Sequence, residues 1–136
     1  AIIFTVSPVR HLKDGFIENT QSKSRLHTAI HKVTDNKSVF YFPSYEIMMD
    51  DLRDYRFYNI DLLHPNETAM EYIWEKFKNA WISSDSFSLM KEINNIQKSL
   101  LHKPFREDSE KHKDFLKKLS NRIIDISKKY NHINFK

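Results

Sequence analysis

The stretch that decides the fold is residues 2–44, IIFTVSPVRHLKDGFIENTQSKSRLHTAIHKVTDNKSVFYFPS. Its first five residues, Ile2 to Val6, are apolar and β-branched without polar alternation, the pattern of a strand buried on both faces. Ser7-Pro8 ends that run, and Val9 to Phe16 reads as polar loop with Gly15 as its one flexible point. Residues 17–34 read as a helix, because Leu26, Ile30 and Val33 recur at i, i+4 and i+7 with Ala29 beside them. Asp35-Asn36-Lys37 is a turn. Ser38 to Phe42 (SVFYF) is a second strand of the buried type, closed by Pro43-Ser44. Strand, helix, strand over about forty residues is a βαβ unit, whose strands run parallel with a right-handed crossover.

Beyond it, Ser44 is placed to cap a short helix over 45–52, and 54–63 is irregular and rich in Tyr, Phe and Asp. Pro65 suits the first turn of a helix running to Trp81, since its missing N–H would be unpaired there. Met70, Ile73, Trp74, Phe77 and Trp81 form that helix's apolar stripe and read as core. Residues 83–86 break the pattern. Leu89, Ile93, Ile96 and Leu100 then make a narrow seam, ended by His102-Lys103-Pro104. Residues 108–130 form the last helix, with Phe115, Leu116, Leu119, Ile123 and Ile126 inward. Matching seams predict an antiparallel hairpin. The expected fold class is α/β, mostly helical by residue count, with an α/β part over 1–82 and a helical hairpin over 83–136.

Two parallel strands are not stable alone; they need more strands and helices on both faces. A chain that opens on a buried-type strand is therefore expected to be the second half of an α/β domain. The other strands would come from earlier sequence or from a second molecule on the exposed sheet edge. The first residue is Ala, which fits a processed terminus or a piece of something longer.

Composition narrows the chemistry. The 136 residues hold one glycine and no cysteine, where an average chain of this length holds roughly nine or ten glycines. A dinucleotide fingerprint or a P-loop needs several glycines. Without cysteine these residues form no disulfide, thiolate zinc site, iron–sulfur cluster or thiol nucleophile. Net charge is +4, unevenly spread: residues 101–136 hold ten Lys/Arg against five Asp/Glu. A basic surface can meet nucleic acid, but the acids interleaved here point to a solvated helix face, so a nucleic-acid partner is not expected. No apolar run approaches the ~20 residues of a membrane span and no secretory signal opens the chain, so no membrane is expected and the expected compartment is the cytoplasm.

In open parallel sheets, ligands bind beyond the carboxyl ends of the strands. Those ends are Ser7-Pro8-Val9-Arg10-His11 and Pro43-Ser44-Tyr45-Glu46, and Asp61-Leu62-Leu63-His64-Pro65-Asn66 falls on the same side if the next helix packs back. Asp61 and His64 are the sharpest pair. A carboxylate three residues before a histidine can accept its Nδ1–H across a tight turn and leave Nε2 as a base. The same spacing also serves an Asp or His that merely caps a helix. Glu46 with Arg53 or Arg56 is placed to shape a pocket, and Tyr45, Tyr55, Phe57 and Tyr58 to line it or to pack a loop core. His27 and His31, at i and i+4 with Asp35 a turn on, have metal-ligand spacing, but no third ligand with a glutamate base accompanies them, and a solvated helix face is the expectation.

These residues carry a resemblance. D-L-L-H-P-N at 61–66, followed by an amphipathic helix, resembles the last block of the SGNH/GDSL hydrolases. T-V-S-P-V-R at 5–10, Y-F-P-S-Y-E-I-M-M-D-D-L-R-D-Y-R-F-Y at 41–58 and L-L-H-K-P-F at 100–105 resemble motifs of the GSCFA family, over nearly the whole chain and most strongly over 3–82. The resemblance implies the C-terminal part of an SGNH-like three-layer fold. The Gly-Ser-Cys-Phe-Ala motif that names the family, where SGNH enzymes carry their nucleophile, is absent here. The nucleophile-bearing half is thus implied to be missing, and this chain is expected to be inactive alone. His64 would be the general base and Asp61 its orienting acid. Ser7 stands where SGNH enzymes have an oxyanion-donating Asn; losing such a donor typically costs ~3 kcal/mol in rate. Arg10 and Glu46 join Ser7 as oxyanion or pocket residues. The implied substrate is an acylated small molecule or carbohydrate, and no metal or organic cofactor is implied. The competing expectation is a non-catalytic module that binds carbohydrate or a protein partner.

Overall fold

The computed structural model describes residues 1–104 and 109–135. The chain is mostly helical, with one small two-stranded parallel sheet. Its contacts group into two compact units, Ala1–Ile82 and Ser83–Lys136.

In the first unit, β1 (Ile2–Phe4) pairs in parallel with β2 (Val39–Tyr41), Ile3 opposite Phe40, and α1 (Phe16–Val33) connects them. The strands are shorter than the apolar runs, but the hydrogen-bond ladder reaches further. Ile2 N–H donates to Ser38 O and Phe42 N–H donates to Phe4 O, each at 2.8 Å. Side chains alternate along β2. The Tyr41 ring lies 4.9 Å from that of His31 on α1, while Phe40 and Phe42 lie 5.0 and 5.1 Å from Trp81 and Phe77 on α3 (Glu67–Trp81). One helix therefore covers each face of β2.

Two expectations about burial fail here. β1 is not buried on both faces: Ile2 is 55% exposed and Ile3 and Phe4 are exposed too, because the helices that cover the sheet pack their rings on β2. The helix face expected inward on α1 also stays out. Leu26, Ala29 and Val33 are exposed, while Lys23 is buried and His27 and Ile30 are half-buried. The helix is turned by about one residue from the apolar stripe, and the sheet side of α1 carries cationic and aromatic groups instead.

After β2, Pro43 leads into α2 (Ser44–Glu46), which runs on without a break as a π-helical turn over Ile47–Asp51. Leu52 N–H closes it on Ile47 O at 3.0 Å. The extra residue per turn brings Met48 and Leu52 inward against Ala69 of α3, with Ile47, Met49, Phe57, Tyr58 and Ile73 around them. Ser44 does not cap this helix. It is the first helical residue, and its side chain bonds elsewhere. Pro65 is likewise not in the first turn of α3. It precedes the N-cap and forms an antiparallel bridge with Tyr58, and Asn66 caps, accepting from Ala69 N–H at 3.1 Å. The apolar stripe of α3 is only partly core, since Met70 and Trp74 are exposed.

In the second unit, α4 (Phe87–Leu100) packs on α5 (Glu110–Lys129). Ile96, Leu119 and Ile126 are buried, with Leu89, Ile93, Phe115 and Ile123 against them. Leu100 and Leu116, expected inward, are exposed. Arg122 Nε donates to Glu92 Oε1 at 2.7 Å, and the His102 and Phe115 rings lie 5.9 Å apart. These pairings run in opposite chain directions, so the hairpin is antiparallel. Ser109 caps α5 through His112 N–H. The expected helix start at 108 and Phe105 of the LLHKPF stretch lie outside the described residues. Among the described residues no helix is long and apolar enough to cross a membrane.

Candidate functional site

The 59–64 turn is closed at both ends by main chain. Leu62 N–H donates to Asn59 O at 2.9 Å and Asn59 N–H to His64 O at 2.8 Å. Leu62 sits in the left-handed region at φ 57°, which a branched residue rarely adopts. Asp61 organises the turn from inside. Its Oδ1 accepts from Leu63 N–H at 2.9 Å and His64 N–H at 3.0 Å, the geometry of an Asx-turn. Its Oδ2 contacts His64 Nδ1 at 2.7 Å. The two backbone N–H bonds and the imidazole bond pull the Asp61 carboxyl down to about 2, so it is ionised at neutral pH. An ionised carboxylate only accepts, hence His64 Nδ1 carries the proton. In the neutral ring Nε2 is then the acceptor.

Asn66 ties this turn to α3. Its Nδ2 donates to Arg56 O at 2.6 Å while its Oδ1 caps the helix. His64 lines a cavity of about 780 Å³ together with Thr5, Pro8 and Val9 after β1, Ser44 after β2, Asn59 and Pro65 from the turn, and apolar side chains of the sheet and α3. The segments after both strands and the Asp61–Asn66 turn thus meet at the carboxyl ends of the strands.

Other expected site residues lie elsewhere. Ser7 is exposed and outside this lining; its Oγ accepts from Val9 N–H at 3.2 Å. Arg10 reaches the back of the turn, where Nη2 donates to Leu62 O at 2.8 Å. Glu46 points to the α1 side: it accepts from Tyr41 OH at 2.8 Å, and its Oε1 lies 3.3 Å from His27 Nδ1. Burial and this carboxylate push the Tyr41 phenol well above its usual range. His27 packs edge-on to Tyr45. Among the described residues no group of three or more His, Cys, Asp or Glu is arranged to hold a metal. Arg53 pairs with Asp50 at 3.1 Å and Arg56 lies 3.7 Å from Asp54. Arg10, Arg53, Tyr55 and Tyr58 line a second cavity of about 340 Å³, while Phe57 packs on the core.

Sequence reasoning missed three contributors. Thr5 Oγ1 lies 2.6 Å from Ser44 Oγ, which donates to Val6 O at 2.9 Å and so locks the two strand ends together. Lys23, 3% exposed, donates from Nζ to Ser7 O at 2.7 Å. A lysine between polar neighbours gives no sign of this. The strand-end hydroxyls were visible in T-V-S-P and F-P-S, but Thr5 only as part of the strand and Ser44 only as a cap.

The fold and the site define a mostly helical chain with a small two-stranded parallel sheet and a carboxylate–histidine pair beyond the carboxyl ends of its strands. Comparison with known families gives two matches: the GSCFA family over residues 1–77, and the GSCFA domain protein, C-terminal domain, over residues 93–136. The chain belongs to the GSCFA family. No curated protein and no solved structure matches it.

Proposed function

We propose that this chain supplies the acid–base part of an ester-hydrolase or acyl-transfer site of SGNH/GDSL type, on the C-terminal part of an SGNH-like three-layer fold. The observation that carries the reading is the ionised Asp61 bonded to His64 Nδ1, which leaves Nε2 as the acceptor of a ring that lines a cavity. On this reading the nucleophile comes from residues outside this chain, since the Gly-Ser-Cys-Phe-Ala motif does not occur in its sequence. β1 offers one unpaired edge and exposed apolar side chains where such a segment, or a second molecule, would add.

The chemistry is then a two-step acyl transfer. A Ser or Cys attacks the acyl carbon as His64 Nε2 takes its proton, and the leaving alcohol departs with that proton from the imidazolium. Water repeats the sequence on the acyl-enzyme. Asp61 holds the tautomer and stabilises the imidazolium. Main-chain N–H groups would meet the oxyanion, and the cavity beside His64 would take the acyl or alcohol portion of a small acylated molecule or carbohydrate.

The test joins this chain to a GSCFA-bearing segment in one polypeptide and measures short-chain acyl ester hydrolysis with and without His64→Ala. A loss of about 10²–10⁴-fold is expected for removing a general base. Equal rates would remove the hydrolase reading.

A further inference from the structure

We propose that Arg10 is a positioning residue for His64: it clamps the Asp61–His64 turn to the end of β1 and so holds the imidazole in its Nδ1–H tautomer. This rests on the acid–base reading of that pair. Four observations meet at Arg10. Its Nη2 donates to the carbonyl of Leu62, 52 residues away in sequence, at 2.8 Å. Leu62 is the residue between the carboxylate and the histidine that holds the left-handed conformation. The guanidinium carbon lies 5.5 Å from the Tyr58 ring centroid, a cation–π contact with the residue that bridges to Pro65 on the far side of the turn. Finally, Arg10 Nε is buried without a hydrogen-bond partner. A buried, unpaired donor on a charged group is unfavourable, and a side chain tolerates it only where other contacts fix its position.

The other end of the strap is fixed as well. Ser44 Oγ donates to Val6 O and Lys23 Nζ donates to Ser7 O, and Val6 and Lys23 are themselves buried. Arg10 therefore extends from an anchored strand end rather than a loose loop. Planarity matters in this role, because the guanidinium can stack on Tyr58 and donate to Leu62 O at once. Without it, Leu62 is released to return to an ordinary conformation, and its peptide groups turn away from the register in which Asp61 Oδ1 collects two N–H groups and Oδ2 meets Nδ1. His64 would then sample the Nε2–H tautomer, in which the ring presents a donor where a base is required.

The experiment is two-dimensional ¹H–¹⁵N NMR of the histidine rings in the 136-residue chain, comparing wild type with Arg10→Ala and Arg10→Lys, with backbone amide spectra to confirm the fold. Wild type is expected to show His64 as the Nδ1–H tautomer. Arg10→Ala should move His64 to a mixture of tautomers, Arg10→Lys should fall between, and millimolar ethylguanidinium should restore the wild-type pattern in Arg10→Ala alone. A folded Arg10→Ala whose His64 tautomer is unchanged overturns the positioning role. If Arg10→Ala does not fold, an unchanged tautomer in Arg10→Lys overturns it equally. A wild-type ring that is not Nδ1–H would instead remove the acid–base reading itself, so the two failures are distinguishable.

Discussion

Ser44→Ala is the substitution whose cost can be worked most directly from the structure. Ser44 is 8% exposed, and its Oγ donates to Val6 O at 2.9 Å while accepting from Thr5 Oγ1 at 2.6 Å. Alanine deletes both bonds. The loss falls mainly on the carbonyl of buried Val6, and leaving a buried acceptor unpaired costs about 1–3 kcal/mol. The Thr5 hydroxyl belongs to an exposed residue and can turn to water, so its share is about 0.5–1 kcal/mol. The sum is about 1.5–4 kcal/mol. At a urea dependence of ~1.5 kcal/mol per molar, the unfolding midpoint falls by about 1–2.7 M. Thr5→Val is the control, since it removes one donor and leaves the Ser44–Val6 bond intact; it should cost about 0.5–1 kcal/mol. Tryptophan fluorescence is the right readout. Both tryptophans, Trp74 and Trp81, lie on α3 in the first unit, and Trp81 packs on Phe40 of the sheet. A Ser44→Ala cost no larger than that of Thr5→Val would refute the reasoning, because it would mean that the Val6 carbonyl does not depend on Ser44.

Three further predictions concern single groups. Burial holds the Lys23 ammonium below its usual range, so between its folded and unfolded values the unfolded state binds more protons. Stability of the first unit should therefore rise as pH climbs toward 10.5, and Lys23→Met should flatten that rise in urea titrations at pH 7 to 10. The Asp61 carboxyl, pulled down to about 2, contributes fully above its unfolded value and loses its contribution as pH falls through about 2; a ¹³C carboxyl titration with a midpoint near 4 would contradict the turn. Ile96→Ala, at a fully buried position against Leu119 and Ile126, should destabilise the α4–α5 hairpin by about 2–4 kcal/mol, read by circular dichroism during urea unfolding.

Much of the first unit was legible in sequence because short unbroken apolar runs and a helical period look so different. IIFTV and SVFYF marked both strands, and the pattern between them marked α1 to within a residue at each end. The errors share a cause. Periodicity places apolar residues together but does not say what they meet. Leu26, Ala29 and Val33 form a sound stripe, yet the partner on offer is β2 with Tyr41, and that ring takes His27 and His31 instead. The π-helical turn was invisible because one extra residue per turn leaves no compositional trace. At the site, the spacing of Asp61 and His64 allowed the contact that is seen, since a three-residue separation is local. Arg10 and Leu62 are 52 residues apart, and no local pattern announces a bond across that distance.

The open edge of β1 has a consequence for anyone handling the chain in solution. From Ala1 to Val9 there is no charged side chain, and the strand inside that stretch presents unpaired main-chain groups and exposed isoleucines. An uncharged, β-branched edge is a template for intermolecular strand addition, and the nearest gatekeeping charge, Arg10, is already engaged with Leu62. Concentration-dependent aggregation of the isolated chain should therefore start at β1, and Ile2→Lys, which places a charge on that edge, should raise the concentration at which it begins.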